Sequence, residues 1–178
     1  MKKRSLNKKE IKELIPLISY PIEVSPKQKV EIVWLTDKYP VMYVDDVPLL
    51  FEFEGKWLPL LKLVMQKNPY KKITVDMGAI KFVAGGAGIM RPGVVSIEDG
   101  ISSGDIVSIV DQKFGKVLAI GIALFNSQDM RAATSGKVVR NAHAAGDKLW
   151  ELLKPAPASP PSSVSPPPSA PPEVPPSE

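Results

Sequence analysis

The chain has 178 residues, of which 44% are hydrophobic, enough for one ordinary domain or two small ones, and this excludes a wholly disordered protein. Cysteine is absent and His143 is the single histidine, which excludes disulfides, thiolate nucleophiles and zinc sites built from cysteines or paired histidines. The longest apolar stretches are too short to cross a bilayer, and residues 1–10 lack the apolar core of a signal peptide. We therefore expect a cytoplasmic protein without a cofactor.

Composition changes sharply at Pro155. Residues 155–178 contain 11 prolines and 6 serines but no aromatic residue, so we expect a disordered Pro/Ser-rich tail. Such a tail either improves solubility or docks on a proline-binding partner. Its two charges, Glu173 and Glu178, are acidic, so residues 1–154 carry 23 basic and 17 acidic residues, a net charge of +6. That charge is compatible with a polyanionic partner.

The first 70 residues combine helix and strand patterns. A basic N-terminal arm leads into a helix with one apolar face, ended by Pro21 and formed by Leu6, Ile11, Leu14, Ile15 and Ile18. Residues 29–35, 41–44 and 49–53 are rich in β-branched and aromatic residues and predict strands, with a turn at Asp45-Asp46. A leucine-rich run from Leu58 to Met65 predicts a second helix that ends before Asn68. This unit is α+β.

The second unit begins with residues 71–76 and is mostly β. Ile80, Val83 and Ala84 share one side of a short helix that leaves Lys81 facing outward and ends at the run Gly85-Gly86-Ala87-Gly88. Residues 89–95 predict a strand broken by a Pro-Gly turn, and strands are also predicted at 105–110, 117–124 and 137–141. A helical turn capped by Ser127 and a last segment at 149–153 complete the unit. Barrel-like closure is expected.

A resemblance becomes visible in the motif D-x-G-A-x-K-F-V-x-G-x-A-x-I-M-x-P-G, which runs from Asp76 to Gly93. This motif resembles the opening signature of the PUA domain. Asn141-x-His143 and Asp147-x-Leu149-Trp150 resemble the ending of the subgroup that includes the malignant T-cell amplified sequence protein, the N-terminal part of ligatin and archaeal relatives. Members of that subgroup carry a small pre-PUA domain before the PUA domain.

The resemblance implies three segments: a pre-PUA α+β domain over residues 1–71, a PUA β-pseudobarrel over 72–154 and the tail over 155–178. It further implies a non-catalytic RNA-binding protein that recognises a tRNA acceptor end or small-subunit rRNA, in translation initiation or ribosome-associated tRNA handling. The implied partners are structured RNA, the small ribosomal subunit and an initiation factor of the SUI1 type. We expect a monomer that does not bind membranes.

The glycine-rich segment is the predicted RNA site. Glycines without side chains allow a sugar-phosphate backbone or a flipped base to approach main-chain N–H groups, and solvent-facing Lys81 and Arg91 can neutralise phosphates. The core candidates are Lys81, Gly85, Gly86, Ala87, Gly88 and Arg91, with Lys137 and Arg140 on the late strand as further candidates. The plainer alternatives are a helix-ending turn for the glycines and edge protection for the late cations. His143 is expected to be structural, beside Trp150.

Other functions remain as alternatives. The protein could be an interaction adaptor that acts through the pre-PUA surface or the tail, or an accessory subunit for RNA modification. Gly100-Ile101-Ser102-Ser103-Gly104 satisfies the G-x-S-x-G pattern of serine hydrolases, but a strand pattern follows it where that motif requires a helix. Hydrolysis is therefore not the expected activity.

Overall fold

The computed structural model describes residues 1–154, so the tail predicted for residues 155–178 lies outside the described residues. The N-terminal part forms one antiparallel sheet in which strands pair in chain order. Its five strands are β1 (Lys2–Ser5), β2 (Val30–Trp34), β3 (Pro40–Val44), β4 (Val47–Phe53) and β5 (Lys56–Pro59). Two short helices accompany the sheet, α1 (Lys8–Leu14) and α2 (Leu61–Gln66).

Two tight turns set the register of this sheet. Asp45 and Asp46 both have positive φ values, 48° and 68°, as do Glu54 and Gly55, at 52° and 80°. Paired left-handed residues make two-residue hairpins whose twist matches that of the flanking strands. The predicted turn at Asp45-Asp46 is confirmed.

The expected basic arm is wrong, because residues 2–5 form edge strand β1 against β2. Lys3 pairs with Glu31 of β2 at 3.1 Å and Arg4 with Glu10 of the following helix at 2.6 Å, so ion pairs neutralise part of the N-terminal charge. Helix α1 then begins at a capping box between Asn7 and Glu10. It ends at Leu14, earlier than predicted, because a 3-10 turn containing Pro16 follows.

The second predicted helix is also shorter than expected. Residues 56–59 form strand β5 and pair with β4, so Leu58 belongs to the sheet and α2 begins only at Leu61. The leucine run therefore covers two elements. Its buried members, Leu58, Leu60, Leu61 and Val64, all enter the N-terminal core.

The second sheet has six strands and nearly closes into a barrel. They are β6 (Lys71–Val75), β7 (Ile89–Met90), β8 (Val94–Ile97), β9 (Ile106–Asp111), β10 (Val117–Ala123) and β11 (Lys137–Ala144), with helices α3 (Ile80–Ala84), α4 (Ser127–Ala132) and α5 (Lys148–Leu153). The spatial order is β7-β11-β10-β9-β6-β8. Edge strands β7 and β8 are joined by a 3-10 turn over Arg91–Gly93, so one short segment spans the opening between the two edges. The predicted barrel-like closure is confirmed, and the domain boundary at 71/72 stays a prediction.

Helix α4 is capped by Asn126 rather than by the predicted Ser127. The Ser127 hydroxyl is instead buried, where it donates to Glu98 O and accepts from the N–H of Ile101. The two halves of the molecule share a core, because Ile120 of β10 and Leu149 of α5 join the N-terminal hydrophobic cluster. No helix within residues 1–154 is long and apolar enough to cross a membrane.

Candidate RNA interface

Helix α3 presents two neighbouring side chains to solvent. Val83 is buried and Ile80 packs against the barrel core, as predicted, which leaves Lys81 and Phe82 on the outer side. Phe82 is 59% exposed, and the Lys81 ammonium lies 5.2 Å from the centroid of its ring. The sequence prediction named Lys81 and missed Phe82, although the same helical spacing places Phe82 outside the core.

The glycine-rich loop ends α3 with three hydrogen bonds back into the helix. The N–H groups of Gly85, Gly86 and Ala87 donate to Lys81 O, Val83 O and Phe82 O at 3.0–3.1 Å. Gly86 has a φ of +93°, which favours glycine. The helix end uses these three N–H groups, so they are not free donors for RNA, as the alternative of a helix-ending turn implies. The assignment of Gly85, Gly86 and Ala87 to an RNA site stays a prediction. Within residues 1–154, the Gly88 N–H has no hydrogen-bond partner.

Asn141 of β11 holds this loop in place from behind. Its side-chain amide donates to Val83 O and Ala87 O, both at 3.0 Å, and so joins the last turn of α3 to the loop. The chain also passes close to the end of α3 at Gly146, where a Cβ atom would lie 3.1 Å from Ala84 O. The sequence placed Asn141 in a family motif but gave no sign of its partners, which lie more than 50 positions earlier.

A cleft of about 480 Å³ lies between α3 and the segment that follows the loop. It is lined by Val75, Asp76, Gly78, Ala79, Phe82, Val83, Ala87, Gly88, Ile89, Met90, Pro92 and Gly93. Most of the wall is apolar, and Phe82 and Met90 are 59% and 49% exposed at its rim. Asp76 is the acidic residue of the lining, and its Oδ1 accepts the N–H of Ala79 at 2.8 Å.

Lys137 is the late-strand cation that the fold brings to the loop. Strand β11 pairs with β7 so that Lys137 lies opposite Met90, and its aliphatic stem passes over Gly88. The side chain is exposed. Of the predicted site residues, Ala87 and Gly88 line the cleft, and Lys137 and Lys81 lie beside it, against Gly88 and Phe82. Gly85 and Gly86 line a separate pocket together with Asn141 and Asp147.

Arg91 does not face solvent as expected. It is half-buried, with Nε donating to Met130 O at 2.7 Å and Nη1 donating to Val94 O at 3.1 Å. These bonds join the 3-10 turn to α4 and to the start of β8. The guanidinium is thus mainly a structural connector beside the cleft, because two main-chain carbonyls already hold it.

Arg140 faces away from the loop toward the N-terminal sheet. Its guanidinium forms an ion pair with Glu54 and lies 5.6 Å from the centroid of the Phe53 ring. Among residues 1–154, its Nε is the one buried side-chain nitrogen or oxygen that lacks a hydrogen-bond partner. Arg140 therefore belongs to the contact between the two sheets. The alternative of edge protection is wrong, because β11 lies between β7 and β10 and is not an edge strand.

His143 is buried, as predicted, with 1% of its surface exposed and its ring centroid 6.5 Å from that of Trp150. Its Nδ1 lies 2.9 Å from Oδ2 of Asp147, the N-cap of α5. Burial alone would raise the pKa of Asp147, but the bonds from His143, Trp150 N–H and Ala144 N–H outweigh it and lower that pKa. Residues 1–154 contain no cluster of three or more histidine, aspartate or glutamate side chains that could hold a metal.

Comparison with known proteins agrees with this architecture. The PUA domain profile matches residues 71–145, and the profile of a domain of unknown function (DUF1947) matches residues 2–67. An uncharacterized protein of Methanocaldococcus jannaschii is 37% identical over 156 residues, which cover 85% of this chain and 96% of that protein. Translation machinery-associated protein 20 of Saccharomyces cerevisiae is 32% identical over 157 residues, covering 84% of this chain and 87% of the relative.

The chain belongs to the PUA protein family of translation machinery-associated protein 20 and malignant T-cell-amplified sequence 1. A solved structure of a PUA domain protein from Aeropyrum pernix K1 matches this PUA protein with a TM-score of 0.68 and 32% identity, over 85% of this chain and 90% of that chain. The resemblance and fold class predicted from the sequence are thus confirmed. The PUA domain is an RNA-binding module, and the relatives include proteins named for association with the translation machinery.

Proposed function

We propose that the protein binds structured RNA through the surface around α3, with a single-stranded end, such as the acceptor end of tRNA, placed in the cleft. The observation that carries this proposal is the pairing of an apolar cleft with exposed Phe82 at its rim and two free lysines, Lys81 and Lys137, beside it. An unpaired base needs an apolar or aromatic surface for stacking, and its phosphates need cations nearby.

The geometry divides the surface into two chemical parts. Lys81 lies on α3 beside Phe82 and Lys137 lies against Gly88, where phosphates would be neutralised, whereas Asp76 lines the cleft itself. A carboxylate repels phosphate but accepts hydrogen bonds from the exocyclic amino groups of cytosine and adenine. A terminal CCA sequence fits this arrangement, because all three of its bases carry such amino groups.

This proposal adds a class of ligand to the family assignment. The ligand is a tRNA acceptor end, met either free or on the small ribosomal subunit, and the protein acts without catalysis in translation initiation or tRNA handling at the ribosome. An initiation factor of the SUI1 type is the protein partner consistent with the family resemblance. The net charge of +6 for residues 1–154 favours polyanion binding.

The test is fluorescence-anisotropy binding to an intact tRNA, the same tRNA lacking its 3′ CCA end, and an RNA duplex, each over a series of salt concentrations. We expect tighter binding to the intact tRNA. Lys81→Glu should weaken that binding roughly tenfold and lower the salt slope by about 1, because one phosphate contact is lost. Lys27→Glu is the matched control, since Lys27 is an exposed lysine in the N-terminal loop.

Equal affinity for intact and trimmed tRNA would reject the acceptor-end part of the proposal. No binding to any of the three RNAs at low salt would reject RNA binding itself and favour the adaptor alternative. An equal loss in Lys81→Glu and Lys27→Glu would show only a general effect of net charge.

A further inference from the structure

The turn between β9 and β10 exposes an aromatic side chain at its tip. Phe114 is 75% exposed, which among the large apolar side chains of residues 1–154 is second only to the N-terminal Met1. Burial of a phenylalanine side chain stabilises a fold by about 1.5–3 kcal/mol, so a phenylalanine left in water contributes nothing to folding. The ring is therefore available for contact with a ligand.

Asp111 makes this turn rigid. The Asp111 side chain is almost fully buried, and its carboxylate accepts the N–H groups of Lys113 at 2.9 Å, Phe114 at 2.5 Å and Lys116 at 2.9 Å. Gly115 has a φ of +65° and donates its N–H to Asp111 O at 3.1 Å. The hydrogen bond from the Phe114 N–H is the largest cause of a lowered pKa for Asp111, so the carboxylate is charged at neutral pH. A loop held in this way loses little conformational entropy when it binds a ligand.

The exposed charges of the turn are both positive. Lys113 Nζ lies 5.2 Å from the centroid of the Phe114 ring, and Lys116 is exposed two positions further on. The ion pairs formed within residues 1–154 involve neither lysine. An exposed aromatic ring between two unpaired cations is the combination that binds single-stranded nucleic acid, since bases stack on the ring and phosphates meet the lysines.

The turn lies at the end of the barrel where the cleft begins. Strands β6 and β9 run parallel, with Val75 opposite Asp111, and the N–H of Gln112 donates to Val75 O at 3.1 Å. Val75 and the next residue, Asp76, both line the cleft beside α3. The start of the turn therefore adjoins the residues that line one end of the cleft.

We propose that the turn of residues 111–116 is a second RNA contact, in which one unpaired base stacks on Phe114 and the flanking phosphates meet Lys113 and Lys116. This inference rests on the proposed function, because it extends the RNA path from the cleft around α3. Recognition of the strand here depends on stacking and charge and is independent of base identity.

The test compares Phe114→Ala with Phe125→Ala for binding of intact tRNA. Phe125 is 43% exposed and follows the opposite end of β10, so it is a matched control for removing an exposed ring. Phe114→Ala should weaken binding roughly 5- to 150-fold, the range for one stacked base, with an unchanged melting temperature. Phe114→Trp should restore binding, because indole also stacks.

A second variant separates charge from stacking. Lys113→Gln combined with Lys116→Gln should lower the slope of log K against log salt by about 1–2, whereas Phe114→Ala should leave that slope unchanged.

Wild-type affinity in Phe114→Ala, with affinity lost in Lys81→Glu, would overturn this inference and leave the proposed function intact. Wild-type affinity in both variants, or no RNA binding at all, would overturn the two together. If Phe114→Ala kept RNA binding but lost a protein partner, the turn would be a protein contact and the inference would be wrong.

Discussion

The aliphatic stem of Lys137 lies directly against Gly88, so that a Cβ atom at position 88 would come within 2.6 Å of Lys137 Cε and 2.9 Å of Cδ. The position of the Lys137 side chain therefore depends on residue 88 being a glycine. The space that Gly88 leaves empty is what lets Lys137 reach the mouth of the cleft.

Gly88→Ala should lower RNA affinity while leaving the fold intact. The colliding atoms belong to the end of a flexible side chain, so Lys137 swings away at a cost in unfolding free energy within about 0.5 kcal/mol. The loss of one phosphate contact should weaken tRNA binding roughly fivefold. Anisotropy titration and thermal unfolding measure the two effects. In a Lys137→Ala background, Gly88→Ala should cause no further loss of affinity, and additive losses would contradict this mechanism.

Arg91→Ala should destabilise the protein. The substitution leaves Met130 O and Val94 O without the guanidinium that now donates to them, which costs about 1–3 kcal/mol of unfolding free energy. Urea denaturation of the variant, with Lys81→Ala as a control that removes an exposed cation of the same surface, measures this cost. Equal stability of the two variants would show that the Arg91 bonds contribute little.

Asn141→Ala should loosen the loop without removing any charge. Two hydrogen bonds at 3.0 Å are lost, and we expect about 1–3 kcal/mol of destabilisation together with weaker tRNA binding. Hydrogen exchange should rise at the N–H groups of Gly85, Gly86 and Ala87 before it rises elsewhere. Weaker binding with an unchanged salt slope would show that the variant acts by displacing the loop. A reduced slope would instead indicate a lost phosphate contact.

Asp147 should make stability depend on pH in the acid range. Its pKa in the folded protein is below the ordinary value near 4, so its contribution is fully present above that value and is lost as pH falls through the lower folded pKa. Asp147→Asn should therefore be less stable than the wild type at pH 7, by about 1–3 kcal/mol, and the gap should narrow below about pH 4. Urea denaturation at both pH values checks this. A gap independent of pH would assign the effect to packing.

The sequence predicted the elements whose apolar pattern is unambiguous and missed those without such a pattern. Every side chain of β1 is exposed, so its charged residues show no buried face and resemble an arm. The sequence pattern does not separate β5 from α2, because the spacing of Leu58, Leu60 and Leu61 is consistent with both a strand and a helix. Short edge strands depend on a partner strand, and the partner is set by the tertiary fold.

The same limit applies to the candidate site. Lys81 was placed correctly because its orientation follows from the spacing of Ile80 and Val83 within one helix. The orientation of Arg140 depends on Glu54, 86 positions earlier, and that of Arg91 on Met130, 39 positions later. Local patterns determine which way a side chain points within one helix, whereas distant carbonyls and carboxylates determine which cations remain free.

Within residues 1–154, strand β7 pairs only with β11, and this pairing affects when the fold can form during synthesis. Ile89 and Met90 find their partners at Val139 and Lys137, close to the end of the barrel sequence. Non-local pairing of this kind forms late, since the intervening chain must first be available. A nascent chain that has emerged only as far as α4 therefore carries all the glycines of the loop but neither Lys137 nor Asn141. During synthesis the proposed RNA surface is completed only with the last strand, so we predict that a partly made copy does not compete for tRNA with finished protein.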